Sequence, residues 1–448
     1  MSDIFQVKYW EHSNGSISKE KLIGCTNAQR KTFNSKKDAY CYSYEVVGDV
    51  IKFEASYYIG IDWIVENKSS IVVAPKLNSK LIENEKVDFE PDDNITQSQI
   101  NNPDIVEIDY LKMLNVCLSD NVVYENVNDL AQIDWKASQI PIEQNQDWLS
   151  PLLIVQYLNI LKRIVRKGLM KSFYKVEENI TNRVKGKILV SENFKRNVFK
   201  NKFTKTLCKY EVFGFDNIAN RTLKKALKYS TSYIENNKLF FDSKDNYSKQ
   251  LLNFCVPAFE NISDDLKISE LKQVRFNSLY KEYEEAIKLA KLILKRFSYT
   301  ISETSSKKLS TPPYWIDMPR LFELYVYSIL KKNYNKKELD YHFTAKGNEL
   351  DFLLNTDESK MVIDTKYKPL YCFGICHQDV RQLSGYSRLE KVYKDLKLKD
   401  DKVIDCLIIY PDLNNGIEPK NINLKEKNYT KISQYRNFYK LGIKLPQK

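Results

Sequence analysis

The 448 residues are 43% apolar and 12% aromatic, enough for two or three domains with ordinary cores, so disorder is excluded as a global description. No run of about 18 uncharged apolar residues occurs, and the N-terminus MSDIFQVKYWEHSNG lacks a basic-then-apolar leader. A soluble, cytoplasmic protein with no membrane contact is therefore expected. The formal charge of +12 suits a polyanionic partner.

That charge is unevenly spread. From Glu83 to Asp147 there are 15 acids against three lysines and no arginine, whereas Leu161 to Tyr210 holds 15 basic residues against three acids. The basic body fits a nucleic acid, and the acidic stretch is a better candidate for contacting protein. Solvated faces in a lysine-rich chain would give the same pattern. The eight cysteines follow no framework spacing, which favours free thiols; Cys372, Cys376 and His377 cluster but lack a second ligand pair, so packing is the expected role.

In chain order, residues 1 to about 80 alternate as strands do, in VVGDVIKFEASYYIGIDWIVE and SIVVAPKL, and predict a β-rich N-terminal region. Helical spacing at Ile108, Leu111, Leu114 and Leu118 predicts an exposed helix within the acidic stretch. Ser150-Pro151 reads as the N-cap and first position of a long helix, apolar from Leu152 to Val165, with Lys162, Arg163, Arg166, Lys167 and Lys171 towards its end. A turn or short strand is expected around Gly186, then helices from about Asn217 and about Tyr280. Residues 150–309 thus form a basic, mostly helical middle, after an N-terminal part spanning residues 1–149.

Beyond residue 310, Asp317 reads as the cap of a helix burying Met318, Leu321, Phe322, Tyr325 and Ile329. Glu323 lies off that stripe, where a glutamate is ordinarily solvated. LDYHFTAK and ELDFLLN read as a hairpin turning at Gly347-Asn348, with KMVIDTKYK as a third strand. A helix over 377–395 and the strands KVIDCLIIYP and FYKLGIKL complete an α/β domain, 310–448, with a mixed central sheet. The whole is an α+β multidomain chain.

Asp351 and Asp364 stand on neighbouring predicted strands, and Lys366 shares a strand face with Asp364. Two hard oxygen donors with a lysine alongside suit Mg²⁺-assisted phosphodiester hydrolysis. Asp351, Asp364 and the carbonyl of Thr365 would hold the ion. Lys366 would orient or deprotonate the attacking water, and Glu323 would add a carboxylate. Gln382 and Tyr386, one helical turn apart, would position substrate or the lysine. Alone, D-x₁₂-D-x-K is a weak signal that a charged surface hairpin could also produce; its helix-strand-strand-strand-helix setting raises it. The three histidines, His12, His342 and His377, are too scattered for a zinc or triad enzyme and read as structural. No G-x-x-x-x-G-K-[ST] or G-x-G-x-x-G loop occurs, so energy-coupled action requires a second protein.

DMPRLFELYV, ELDF, VIDTKYK and QDVRQLSGYS together resemble the PD-(D/E)XK nuclease superfamily, and more closely the McrC subunit family of McrBC restriction systems. RVKGKILV, DNIANRTLKKAL and GLMKSFYKVEE look like McrC segments too, extending the resemblance over roughly residues 105 to 448. Leu350 stands where the superfamily has proline, a residue that ligates nothing. The resemblance implies a PD-(D/E)XK-like domain at 310–448 that cleaves double-stranded DNA with Mg²⁺. Its implied partner is a McrB-like AAA+ GTPase hexamer that consumes the GTP, with the N-terminal part of this chain reaching into the ring and stimulating hydrolysis. The acidic stretch from Glu83 to Asp147 becomes a candidate ring contact. A stand-alone RecB-like repair nuclease and a DNA-binding adaptor with an inactive nuclease fold are the alternatives.

Overall fold

A computed structural model describes residues 4–22, 24–25, 28–34, 39–78, 89–91, 105–124, 126–127, 130–237, 241, 247–266, 281–302, 309–345, 347–399 and 402–448. The chain folds as two compact units, one made of residues 1–146 and 310–448, the other of residues 147–309. Much of the acidic stretch, including residues 83–88 and 92–104, lies outside the described residues.

The first unit begins with strands β1 (Phe5–Trp10), β2 (Asn14–Ser18), β3 (Gln29–Thr32), β4 (Tyr40–Val47), β5 (Val50–Ala55), β6 (Tyr58–Val65) and β7 (Ser69–Ala74). Strands β2, β5, β4 and β3 form one antiparallel sheet in that order. Helix α1 (Tyr110–Ser119) follows, then β8 (Ala131–Ile133). Against the expectation of an exposed helix, α1 is largely interior: Tyr110, Met113, Leu114 and Cys117 have no accessible surface. Its spacing is as expected, and the helix packs against a later one through Ser328 Oγ, which donates to the Val116 carbonyl, and the Lys331–Asp120 pair.

The second unit opens with α2 (Leu149–Lys167). Its cap is set earlier than Ser150: Asp147 Oδ1 accepts from the Ser150 N–H at 3.1 Å and pairs with the buried Arg296, while Oδ2 accepts from Tyr233 Oη. Gly168, at φ +90°, ends the helix, so Lys171 falls outside it. In place of the expected continuation, β9 (Ser172–Thr181) starts, followed by β10 (Lys187–Ile188), α3 (Val190–Arg196) and β11 (Lys205–Gly214). These strands make a sheet in the order β9-β11-β10, with Ser172 opposite Gly214 and Thr181 opposite Lys205. Helices α4 (Ile218–Asn236), α5 (Tyr247–Cys255) and α6 (Lys281–Ser302) supply the helical part. Asn217 caps α4 by accepting from the Asn220 N–H at 3.0 Å.

The chain then returns to the first unit. Strand β12 (Tyr314–Asp317) enters the N-terminal sheet, whose order is β1-β7-β6-β12-β8. Residues 1–149 and 310–448 are therefore joined through one sheet rather than standing as two regions. Gly60 permits the close approach, since a Cβ there would lie 2.1 Å from the Tyr314 carbonyl oxygen.

Helix α7 (Met318–Leu330) follows directly, capped by Asp317 accepting from the Arg320 N–H at 2.9 Å. The chain continues through β13 (Leu339–Ala345), β14 (Asn348–Asn355), β15 (Lys360–Thr365), α8 (His377–Tyr386), α9 (Glu390–Leu396), β16 (Asp405–Pro411), β17 (Thr430–Lys431) and β18 (Phe438–Ile443). The expected helix over 377–395 is two helices. The second sheet runs β13-β14-β15-β16-β18-β17, antiparallel from β13 to β15 and parallel across β15, β16 and β18. The mixed central sheet is present, in an α+β chain. No helix among the described residues is long and apolar enough to cross a membrane.

Candidate active site

Strand alternation brings the candidate residues together. On β15 the apolar side chains of Met361, Val362 and Ile363 are fully buried, and Asp364 follows them into the interior at 3% exposure. Asp351, one strand over on β14, accepts from Thr365 through Oδ2, at 2.7 Å from the backbone N–H and 2.6 Å from the hydroxyl. Burial raises the Asp351 pKa well above the usual carboxylate range, and the Asp364 and Glu323 charges add to it against the Thr365 hydrogen bonds. Burial also raises Asp364, opposed by Lys366 and reinforced by Asp379 and Glu323.

Lys366 Nζ lies 2.7 Å from Asp364 Oδ2 and donates to Gln382 Oε1 at 3.0 Å. The Asp364 contact is an ion pair without the angles of a hydrogen bond, which leaves this buried oxygen with acceptor capacity to spare. Burial pulls the Lys366 pKa down, but the Asp364 and Asp379 charges outweigh it and hold the ammonium form. Gln382 Nε2 in turn donates to Tyr386 Oη at 2.8 Å, so α8 extends a chain from the lysine to the tyrosine. Tyr367, next along, packs between Phe322 of α7 and Tyr57 of the N-terminal segment, each ring centroid 5.6 Å away.

Glu323 is not solvated: its side chain is 15% exposed and lies within reach of Arg320, Tyr341 and His342. Burial opposes ionisation, yet the His342, Arg320 and Tyr341 contacts hold the pKa below the usual glutamate range. The apolar stripe of α7 gave no sign of this, because the partners arrive from β13.

Three further groups belong to the site beyond those the sequence pattern marks. Asp379 at the start of α8 accepts from Lys368 Nζ at 3.0 Å and Tyr371 Oη at 2.7 Å through Oδ2, while Oδ1 is 4.0 Å from Lys366 Nζ. The two lysines overcome its burial and lower its pKa. Its place three residues before Gln382, one turn away on the same helix face, was the available signal. Lys368, two residues beyond Lys366, was equally readable by spacing. His342, whose scattered position in the sequence suggests a structural role, belongs to the surroundings of Glu323.

The donor set fits a hard divalent ion. Both aspartate pKa values are raised, Asp351's in part by the Asp364 charge, and one buried Asp364 oxygen lacks a hydrogen bond. Among the described residues no three His, Cys, Asp or Glu side chains are grouped to hold a metal, so the two aspartates would need completion by backbone and water oxygens, as Mg²⁺ accepts.

A family model described as McrBC 5-methylcytosine restriction system component matches residues 55–411. The chain belongs to the McrBC family. The match spans the N-terminal sheet from β6 onward, the whole second unit, and the Asp351–Asp364–Lys366 site. No curated protein matches the chain. Among solved structures, a chain in the tetradecameric assembly of Thermococcus gammatolerans McrB AAA+ hexamers with bound McrC is similar at 16% identity, over 98% of this chain and 94% of that one, with a TM-score of 0.41. A chain of the Thermococcus gammatolerans McrBC complex is similar at 16% identity, over 73% of this chain and 88% of that one, with a TM-score of 0.29.

Proposed function

We propose that this McrBC-family chain is the nuclease subunit of its restriction system. It would hydrolyse phosphodiesters of double-stranded DNA when joined to a McrB-like AAA+ GTPase hexamer, whose GTP hydrolysis it stimulates. The observation that carries the reading is the packing of Asp351, Asp364 and Lys366 at adjoining strand positions, with Lys366 ion-paired to Asp364 at 2.7 Å and hydrogen-bonded to Gln382 at 3.0 Å. We further propose that the domain holding them is of the PD-(D/E)XK type, despite Leu350 in the proline position.

Asp351, Asp364 and the Thr365 carbonyl would hold Mg²⁺, which supplies charge neutralisation at the phosphate and a more acidic water. Lys366, ion-paired with Asp364 and donating to Gln382, is held as an ammonium, which suits orienting the attacking oxygen and offsetting transition-state charge rather than removing a proton. Gln382 and Tyr386 hold that ammonium in place, and Asp379 keeps Lys366 and Lys368 on the same side of the sheet.

For the ring contact, the second unit has a stronger candidate than the acidic stretch. Phe173, Phe194, Phe199, Phe203, Phe213 and Phe215 are between 45% and 76% exposed around β9, α3 and β11. An apolar surface on that scale marks a protein contact, and the GTPase ring is the partner we assign to it.

Linear duplex DNA incubated with the chain and Mg²⁺, alone and with the McrB-like protein and GTP, tests both parts. Cleavage is expected only with partner and GTP, and the Phe199→Ser/Phe203→Ser variant should lose stimulation of the partner's GTPase. Cleavage by the chain alone would point to a stand-alone nuclease. Undiminished cleavage by Asp364→Ala would refute the site.

A further inference from the structure

Glu323 is held in an unusual way. A single oxygen, Oε1, receives Arg320 Nη1 at 2.7 Å and Tyr341 Oη at 2.8 Å, with His342 Nε2 at 2.6 Å. Among the described residues Oε2 makes no hydrogen bond. A pair between Arg320 and Glu323 three residues apart is ordinary on a helix. Tyr341 and His342 come from a different element, and both are aimed at the same oxygen.

The backbone is bent to achieve this. His342 has φ +55°, a left-handed conformation that is strained for a non-glycine residue inside a strand. The β13–β14 ladder pairs Tyr341 with Phe352 and Phe343 with Leu350, and skips the intervening His342 and Asp351. The interruption therefore falls at the candidate aspartate and at the residue contacting Glu323. His342 Nδ1 is anchored on the far side, 2.6 Å from Glu349 Oε1. Tyr341 is fixed by stacking on Tyr327, centroids 4.1 Å apart.

We propose that Arg320, Tyr341 and His342 are positioning residues that lock Glu323 by Oε1 and present Oε2 to water at the Asp351–Asp364 cation site. Glu323 reaches the site through His342, which stands opposite Asp351 at the gap in the ladder, and since among the described residues no three carboxylates are grouped to hold a metal, the role assigned to it is through water. Mg²⁺ and Mn²⁺ keep several waters when protein-bound, so a fixed acceptor for one of them tightens the ion. This inference rests on the aspartates being a cation site.

Mn²⁺ titration of the full chain, read by electron paramagnetic resonance, tests it without a cleavage assay. Tyr341→Phe/His342→Asn should weaken Mn²⁺ binding about tenfold or more. Tyr341→Phe alone keeps the stacked ring and should give a smaller loss at an unchanged urea midpoint, which covers the case where the double variant misfolds. Wild-type Mn²⁺ affinity in the folded double variant, or in Tyr341→Phe where the double variant misfolds, would overturn the proposal. Wild-type affinity in Asp364→Asn would instead overturn the cation site itself, a separate result.

Discussion

Replacing Asp317 by asparagine separates two roles of one side chain. As the cap of α7 it accepts from the Arg320 N–H at 2.9 Å, which asparagine does equally well. Burial lifts its pKa from 3.8 to about 6, with the Arg320 N–H opposing and the Glu323 charge adding. A rise of roughly two units corresponds to about 3 kcal/mol. The folded state holds this proton more tightly than the unfolded one. Its contribution is therefore complete below about pH 4 and is lost as pH climbs through about 6. Asparagine does not titrate, so relative to Asp317→Asn the wild type should lose stability across that window. Above about pH 7 the variant should be the more stable by up to about 3 kcal/mol. Urea unfolding followed by tryptophan fluorescence at several pH values measures the difference directly. Parallel pH profiles for the two proteins would refute the reasoning.

Asp364→Ala and Lys366→Ala should each cut the cleavage rate by about 10² or more while partner assembly, followed by gel filtration, is preserved. Asp379→Asn removes the charge that Lys366 and Lys368 face; cleavage should fall about tenfold, with a stability loss of about 1–3 kcal/mol in urea. Gly60→Ala drives a methyl into the Tyr314 carbonyl and should cost about 1–3 kcal/mol or more, seen as a lowered melting temperature of the first unit.

The site was legible where local pattern determines it. Asp317 caps α7 as its sequence indicates, the apolar stripe from Met318 to Ile329 is buried, and the expected hairpin forms, although its turn falls before Asn348, which already pairs with Ala345. Alternation along β15 put Asp364 and Lys366 together. What stayed hidden depends on contacts between distant segments. Glu323 is ordinary on α7 and becomes buried only because β13 carries Tyr341 and His342 over it. Helix α2 stops at Gly168 rather than continuing, a stop the glycine itself signals, and the strand alternation of SFYKVEE is obscured by the basic helical run before it. Nothing local in YWID shows that it will enter a sheet begun near residue 5.

That last strand orders events during synthesis. Strand β12 lies inside the N-terminal sheet between β6 and β8, yet it is made only after the whole second unit. At about 5–20 residues per second the inserted residues occupy the ribosome for roughly ten to thirty seconds, during which β6 has an open edge. Residues 147–309 can fold in that interval, whereas the sheet behind the site must wait for its missing inner strand. A nascent chain halted before Tyr314 therefore presents an unpaired, apolar strand edge, the kind of surface that recruits chaperones or seeds aggregation.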